Sequence, residues 1–167
     1  ACAGVDAVMA GEADNVFCAT RPCGHHAEPD RAMGFCIFNQ AAIAAVHALQ
    51  AHGLERVAVV DFDVHHGNGT QAAFFARPEL LYASSHQSPL YPGTGDRSER
   101  GVSGNIVNVP LPPGCGSQLF RERLERDMLP ALRAFKPDFI IISAGFDAPR
   151  LDPLAGVNFG GDGFFLG

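Results

Sequence analysis

A chain of 167 residues, 47% apolar and 18% charged, has room for one core and the means to bury it. That excludes a disordered chain, and no apolar run approaches the ~20 residues that cross a bilayer. A net charge of −6, with no basic stripe, argues against nucleic-acid binding through phosphate neutralisation.

Short β-branched or aromatic runs alternate with helical patterns and Gly or Pro breaks, which predicts one α/β domain over residues 1–167 with a mostly parallel sheet. Residues 1–14 lack a basic stretch followed by an apolar one, so no signal peptide is expected. Residues 5–10 end a helix before Gly11, and residues 16–20 read as a strand entering the turn Arg21-Pro22-Cys23-Gly24. From Asn39 to His52, Ile43, Val46, Leu49 and Gln50 keep helical spacing until Gly53. Residues 56–62 (RVAVVDF) read as a strand covered on both faces. A helix over 71–76, a strand over 80–84, a polar loop over 87–103 and a strand over 105–109, stopped by Pro110, follow. Residues 117–135 predict an amphipathic helix kinked or split at Pro130, and residues 138–143 (DFIIIS) a second fully buried strand. The expectation is five strands and three or four helices. Cys2, Cys18, Cys23, Cys36 and Cys115 are odd in number and scattered, so a reducing, cytoplasmic setting is expected rather than a disulfide framework.

Ligands of open parallel sheets bind beyond the carboxyl ends of the strands, and there the polar residues of this chain gather. Asp61, Asp63 and His65 follow one strand at i, i+2, i+4, sharing a face while the backbone stays extended. Two carboxylates and an imidazole held that close call for a cation among them, and Asp147 arrives from another strand end as a further ligand. Such an Asp/His/Asp set suits zinc or another borderline divalent ion with open coordination. The plainer alternative is ordinary polar strand ends, with Asp61 capping a turn. The tandem His25-His26 leaves three readings open: satisfied histidines, a structural zinc knuckle with Cys18 and Cys23, or general acid–base work beside a metal, with Asp61 and Asn68 orienting the two rings.

RPCGHHAEPDRAMGFCIFN, VAVVDFDVHHGNGTQAAFF, SSHQSPLYPGTGD and IISAGFDAPRLDPLA together resemble the zinc-dependent histone deacetylase family, above all its class II and bacterial amidohydrolase members. The resemblance runs from about residue 5 to about residue 159. It implies a three-layer α/β fold with a parallel sheet of the arginase/deacetylase type, shortened at both ends. It also implies that Asp63, His65 and Asp147 bind one catalytic zinc. His26 would be the principal general base and acid and His25 its electrostatic partner, oriented by Asn68 and Asp61 respectively. Asn68 stands where class I members carry Asp, which would leave His26 easier to keep neutral. Phe35 and Tyr91 would wall a tunnel for an acyl-lysine-like chain, and the Gly34 carbonyl would receive the scissile amide N–H. Potassium would lie under the zinc, at Asp61, Asp63, His65, Ser84 and Ser85, and a remoter potassium against the backbone of Phe74, Arg77 and Leu80.

The resemblance thus implies metal-assisted amide hydrolysis of acyl-lysine peptides or acetylated polyamines. The family also places a Tyr after a Gly-Gly pair to help hold the oxyanion; the tyrosines here, Tyr82 and Tyr91, sit in no such motif. Losing one oxyanion donor costs ~10²–10³ in rate. The chain therefore reads as the middle of a deacetylase, and a non-catalytic metal-binding or assembly module is an alternative. Uncovered sheet edges would then favour a homo-oligomer. An arginase-type ureohydrolase is a further alternative, but its manganese pair wants Asp-x-His-x-Asp where this chain has Asp-x-Asp-x-His. Smaller departures are Cys23 in place of a usual Pro, which would fill space or add a soft ligand, Pro149 in place of a frequent His, and the glycine-rich 160–163, expected to be a flexible tail.

Overall fold

The computed structural model describes residues 1–148 and 156–158. Strands β1 (Val57–Asp61), β2 (Leu80–Gln87), β3 (Ile106–Leu111) and β4 (Phe139–Ser143) form one parallel sheet in the order β3-β2-β1-β4. Alternation along the strands divides the core in two. Val57, Val59, Leu80, Tyr82 and Ile106 pack on one face with α1 (Cys2–Met9) and α2 (Gln40–His52). Ala83 and Val109 pack on the other with Phe120, Leu124 and Met128, from α4 (Ser117–Arg123) and a π-helical segment (Leu124–Met128). This is the three-layer parallel α/β arrangement expected; α3 (Asn68–Phe74) and α5 (Leu129–Phe135) complete it.

Helix α2 starts where the Asn39 side chain accepts the Ala42 N–H and ends at Gly53, whose φ of +67° suits glycine. Its buried residues are Ala42, Ala44, Ala45 and Ala48 rather than the larger apolar residues of the predicted stripe, and Ile43 is 45% exposed. Small side chains let the helix lie close to the sheet. Helix α1 is tied to α2 by Asp6, whose Oδ1 faces the Nε2 atoms of His47 and His52 at 2.6 and 2.7 Å.

The structure corrects several sequence expectations. Residues 16–20 form no strand: Val16 and Phe17 are 44% and 77% exposed, with no sheet partner among the described residues. Strand β4 is not fully buried, because it is an edge strand and the layer of α4 and the π segment lies over β2 and β3. Phe139 and Ile141 face the core, while Ile140 and Ile142 stay 51% and 61% exposed. Strand β3 runs through Pro110 to Leu111, which the missing Pro N–H allows on an edge strand. The split expected at Pro130 takes the form of the π turn just before α5, which has Pro in its first turn.

Candidate active site

Strand register fixes the frame of the site. Asp61, the last residue of β1, is level with Ser84 of β2 and Ser143 of β4. Just beyond, Asp63 Oδ1 accepts the His65 N–H at 2.8 Å and lies 3.1 Å from His65 Nδ1. From the loop after β4, Asp147 Oδ2 lies 2.9 Å from the same Nδ1, while its Oδ1 accepts the Val64 N–H at 3.1 Å. A Cβ on Gly145 would lie 2.2 Å from Asp63 Oδ2 and 2.5 Å from its Cα, so this approach of two loops needs glycine. Potential ligand atoms of Asp63, His65 and Asp147 all lie within 4.8 Å of one another. Hydrogen bonds to Asp147 and Asp63 push the His65 imidazole up to about 10, since both carboxylates favour its proton. Two carboxylate oxygens and one imidazole nitrogen fit a zinc-type ion with open positions.

Beside this cluster the histidine pair is buried, with ring centroids 4.1 Å apart. His25 Nδ1 lies 3.0 Å from Asp61 Oδ2, and His26 Nδ1 lies 2.9 Å from Asn68 Oδ1. Burial pulls His25 down, but the charge and hydrogen bond of Asp61, with the charge of Asp63, outweigh it and hold His25 at about 9. His26 is lowered by burial and by the charge of His25, against the opposing bond to Asn68. Asp61 thus favours the proton on one imidazole while burial and that neighbour's charge disfavour it on the other, a division suited to acid–base chemistry. The His26 ring lies 6.0 Å from that of His65. A knuckle of His25 and His26 with Cys18 and Cys23 is not assembled, because the Nδ1 atoms go to Asp61 and Asn68, and Cys23 Sγ lies 3.5 Å from Cys36 Sγ.

Tyr82 is a support that the sequence reading missed. Its hydroxyl donates to Asp61 Oδ2 at 3.1 Å and accepts the Gly67 N–H at 3.0 Å, while Asp61 Oδ1 accepts the Asp63 N–H. Burial, reinforced by the charge of Asp61, pushes the Tyr82 phenol well above its ordinary value. Pairing of Val59 with Tyr82 across β1 and β2 is what brings the phenol here, and no local motif announces it.

The remaining predicted residues are placed as follows. Tyr91 stands edge-on to His26, ring centroids 5.1 Å apart, and is 47% exposed. Gly34 and Phe35 both have positive φ, 56° and 63°; Phe35 is 92% exposed. A Cβ on Gly34 would lie 2.3 Å from the His26 ring, so its backbone runs against the candidate base. The Gly34 carbonyl accepts the Cys36 thiol at 3.3 Å and, at 3.8 Å, that of Cys23. Ser84 and Ser85 are buried, and Ser84 Oγ lies 2.9 Å from His86 Nδ1. For the remoter potassium the fit fails: the carbonyls of Phe74, Arg77 and Leu80 converge on Asn105 Nδ2 at 2.9, 3.1 and 3.0 Å, so an amide stands among them. Pro149 and residues 160–163 lie outside the described residues.

His66 and His86 form a buried, neutral backing. His66 lies 2.8 Å from Thr94 Oγ1 and 3.0 Å from Gln71 Oε1, and burial lowers both histidines to about 4.

A family model described as the histone deacetylase domain matches residues 1–165. The chain is 48% identical over 168 residues to the histone deacetylase-like amidohydrolase of Pseudomonas aeruginosa, covering 98% of this chain and 44% of that protein. Superposition on the crystal structure of the HDA15 HD domain gives a TM-score of 0.92 at 44% identity, over 97% of this chain and 49% of that one. For the acetylpolyamine aminohydrolase from Burkholderia pseudomallei the TM-score is 0.87 at 45% identity, over 93% and 46%. The chain thus spans about half the length of these relatives. With its fold, its strand-end Asp/His/Asp cluster and these likenesses taken together, the chain belongs to the histone deacetylase domain family.

Proposed function

We propose that this chain carries the metal- and proton-handling centre of a zinc-dependent amide hydrolase that removes acetyl or other acyl groups from lysine-like amines. The observation that carries the proposal is the buried pair His25 and His26, ring centroids 4.1 Å apart and held by Asp61 and Asn68, beside the Asp63–His65–Asp147 cluster. When bound there, a zinc ion would polarise the scissile carbonyl and acidify water. His26, neutral through burial, takes the proton of the attacking water at Nε2 and returns it to the departing amine. His25, held protonated by Asp61, opposes negative charge growing on the carbonyl oxygen. Gly34 offers its carbonyl to the amide N–H, and Phe35 with Tyr91 guides the alkyl chain. The Asp61, Asp63, His65, Ser84 and Ser85 region is the proposed potassium seat beneath.

Acyl-lysine peptides and acetylated polyamines are the proposed substrates; the name of the Burkholderia pseudomallei relative supports the latter. Five free cysteines fit a reducing, cytoplasmic setting, and no helix among the described residues is long and apolar enough to cross a membrane. Turnover of an acetyl-lysine peptide and of an acetylated polyamine, before and after chelation and zinc readdition, tests the proposal. Zinc-restored turnover is expected, and it should rise ~10²–10³-fold in a longer chain carrying a Gly-Gly-Tyr segment. Absence of turnover in both chains refutes it. A second reading, a non-catalytic assembly module, is favoured by the exposed Ile140 and Ile142 on edge strand β4. Self-association through that edge is its expected mark, and a monomer by light scattering at all concentrations would remove it.

A further inference from the structure

An asparagine can present either end of its amide to a histidine, and the choice fixes the imidazole tautomer. With Oδ1 facing His26 Nδ1, that nitrogen carries the hydrogen and Nε2 keeps its lone pair. With Nδ2 facing it, the lone pair moves to Nδ1 and Nε2 can no longer accept a proton. The surroundings of Asn68 decide between the two. Its Nδ2 lies 2.6 Å from Glu28 Oε1, 3.3 Å from Met33 Sδ and 3.5 Å from the His26 carbonyl, and all of these are acceptors. Turning the amide over would set a carbonyl oxygen against a carboxylate with no hydrogen between them, in a site where Asn68 is only 6% exposed.

Glu28 is itself held. Its Oε2 accepts from Arg31 Nη2 at 3.0 Å, and the two residues pair through their backbones, Glu28 N–H to Arg31 carbonyl at 3.0 Å. The run Arg31–Glu28–Asn68–His26 therefore leads from a half-buried carboxylate to the imidazole.

We propose that Glu28 is a positioning residue that sets the tautomer of His26 through Asn68. The inference deepens the reading of His26 as proton acceptor and rests on it. Its experiment needs no turnover: two-bond ¹H–¹⁵N correlation of the ¹⁵N-histidine-labelled, zinc-free chain, which reports the tautomer of each ring. The parent chain is expected to show His26 as Nδ1–H. Glu28→Gln keeps an acceptor toward Asn68 and should retain that tautomer. Glu28→Ala should give a mixture. Glu28→Lys, which offers a donor and attracts Oδ1, should convert His26 to Nε2–H. The signals of His47 and His52, remote on α2, serve as the control for folding. An Nδ1–H His26 in both the Ala and the Lys variants overturns the proposal; if the Lys variant does not fold, the same result in Glu28→Ala alone does so. Acetyl-lysine turnover by the same proteins then separates the questions. Absence of turnover in both the parent chain and the longer one counts against the hydrolase reading, while the tautomer pattern decides the role of Glu28.

Discussion

Asp147 reaches across the end of the sheet to Val64: its Oδ1 accepts the Val64 N–H at 3.1 Å while its Oδ2 faces His65. The carboxylate thus clamps the β1 and β4 loops together and leaves its Oδ2 as a candidate ligand atom. Asp147→Ala should remove stoichiometric zinc binding, a loss beyond the ~10–100-fold that outer-shell changes cost. Equilibrium dialysis against zinc checks this; an unchanged stoichiometry and affinity would remove Asp147 from the ligand set.

Zinc and protons should compete at His65. Its Nδ1 has carboxylate oxygens at 3.1 and 2.9 Å, an arrangement that favours a proton in the metal-free chain. Near neutral pH, zinc uptake should release that proton, and affinity should rise about tenfold per pH unit. Calorimetry in buffers of different ionisation enthalpy measures the release. A heat independent of buffer would show that no proton leaves.

The stability of the zinc-free chain should peak near pH 6.5. His66 and His86 are lowered by burial from 6.5 to about 4, so the unfolded chain binds protons that the folded chain refuses, and stability falls as pH drops through that window. His25 and His65 are raised to about 9 and about 10, so their contribution is present below 6.5 and is lost as pH rises toward those values. Each histidine contributes at most about 1.4 kcal/mol per pH unit. Urea midpoints across pH 4.5–9 give the profile; a monotonic trend would contradict it.

Gly145→Ala should damage the Asp63–His65–Asp147 cluster selectively. The new Cβ would meet Asp63 at its Cα as well as its carboxylate, so side-chain rotation alone gives no relief. Weaker zinc binding is expected with the sheet intact by circular dichroism, whereas wild-type affinity would mean the loop yields easily.

Asp61→Asn should be costly even without metal. The carboxylate is fully buried and accepts from Tyr82 and the Asp63 N–H while facing His25. Uncoupling a buried charge pair typically costs 3–5 kcal/mol, so a destabilisation of about that size is expected in urea unfolding. A change below ~1 kcal/mol would show that Asp61 is not what secures His25.

Strand β1, the start of β2 and the α2 boundaries were readable in the sequence itself, whereas the pairing of His25 with Asp61 and of His26 with Asn68 came only with the family resemblance. Apolar runs, an Asn cap, a terminal Gly and motif spacing are local signals. Residues 16–20 and β4 misled, because a β-branched run looks alike whether or not a neighbouring layer covers it. Ile140 and Ile142 lie level with Ala58 and Val60 of β1, which are buried and half-buried, yet stay exposed themselves because nothing among the described residues covers that face of β4. Tyr82 and Glu28 stayed hidden for a related reason. Each acts on a residue far along the chain, Asp61 and Asn68, through contacts that exist only once strands and loops are assembled.

Level alignment of Asp61, Ser84 and Ser143 has a consequence for how this scaffold tolerates change. Slipping any strand by one position would turn its side chains to the opposite face and carry its loop out of reach of the others. Inserted or exchanged segments should therefore be borne where the strands begin, at turns such as that before Leu80, and rejected where they finish. Chimeras joined at the tolerant end, with the opposite end kept whole, should keep the strand-end residues in register.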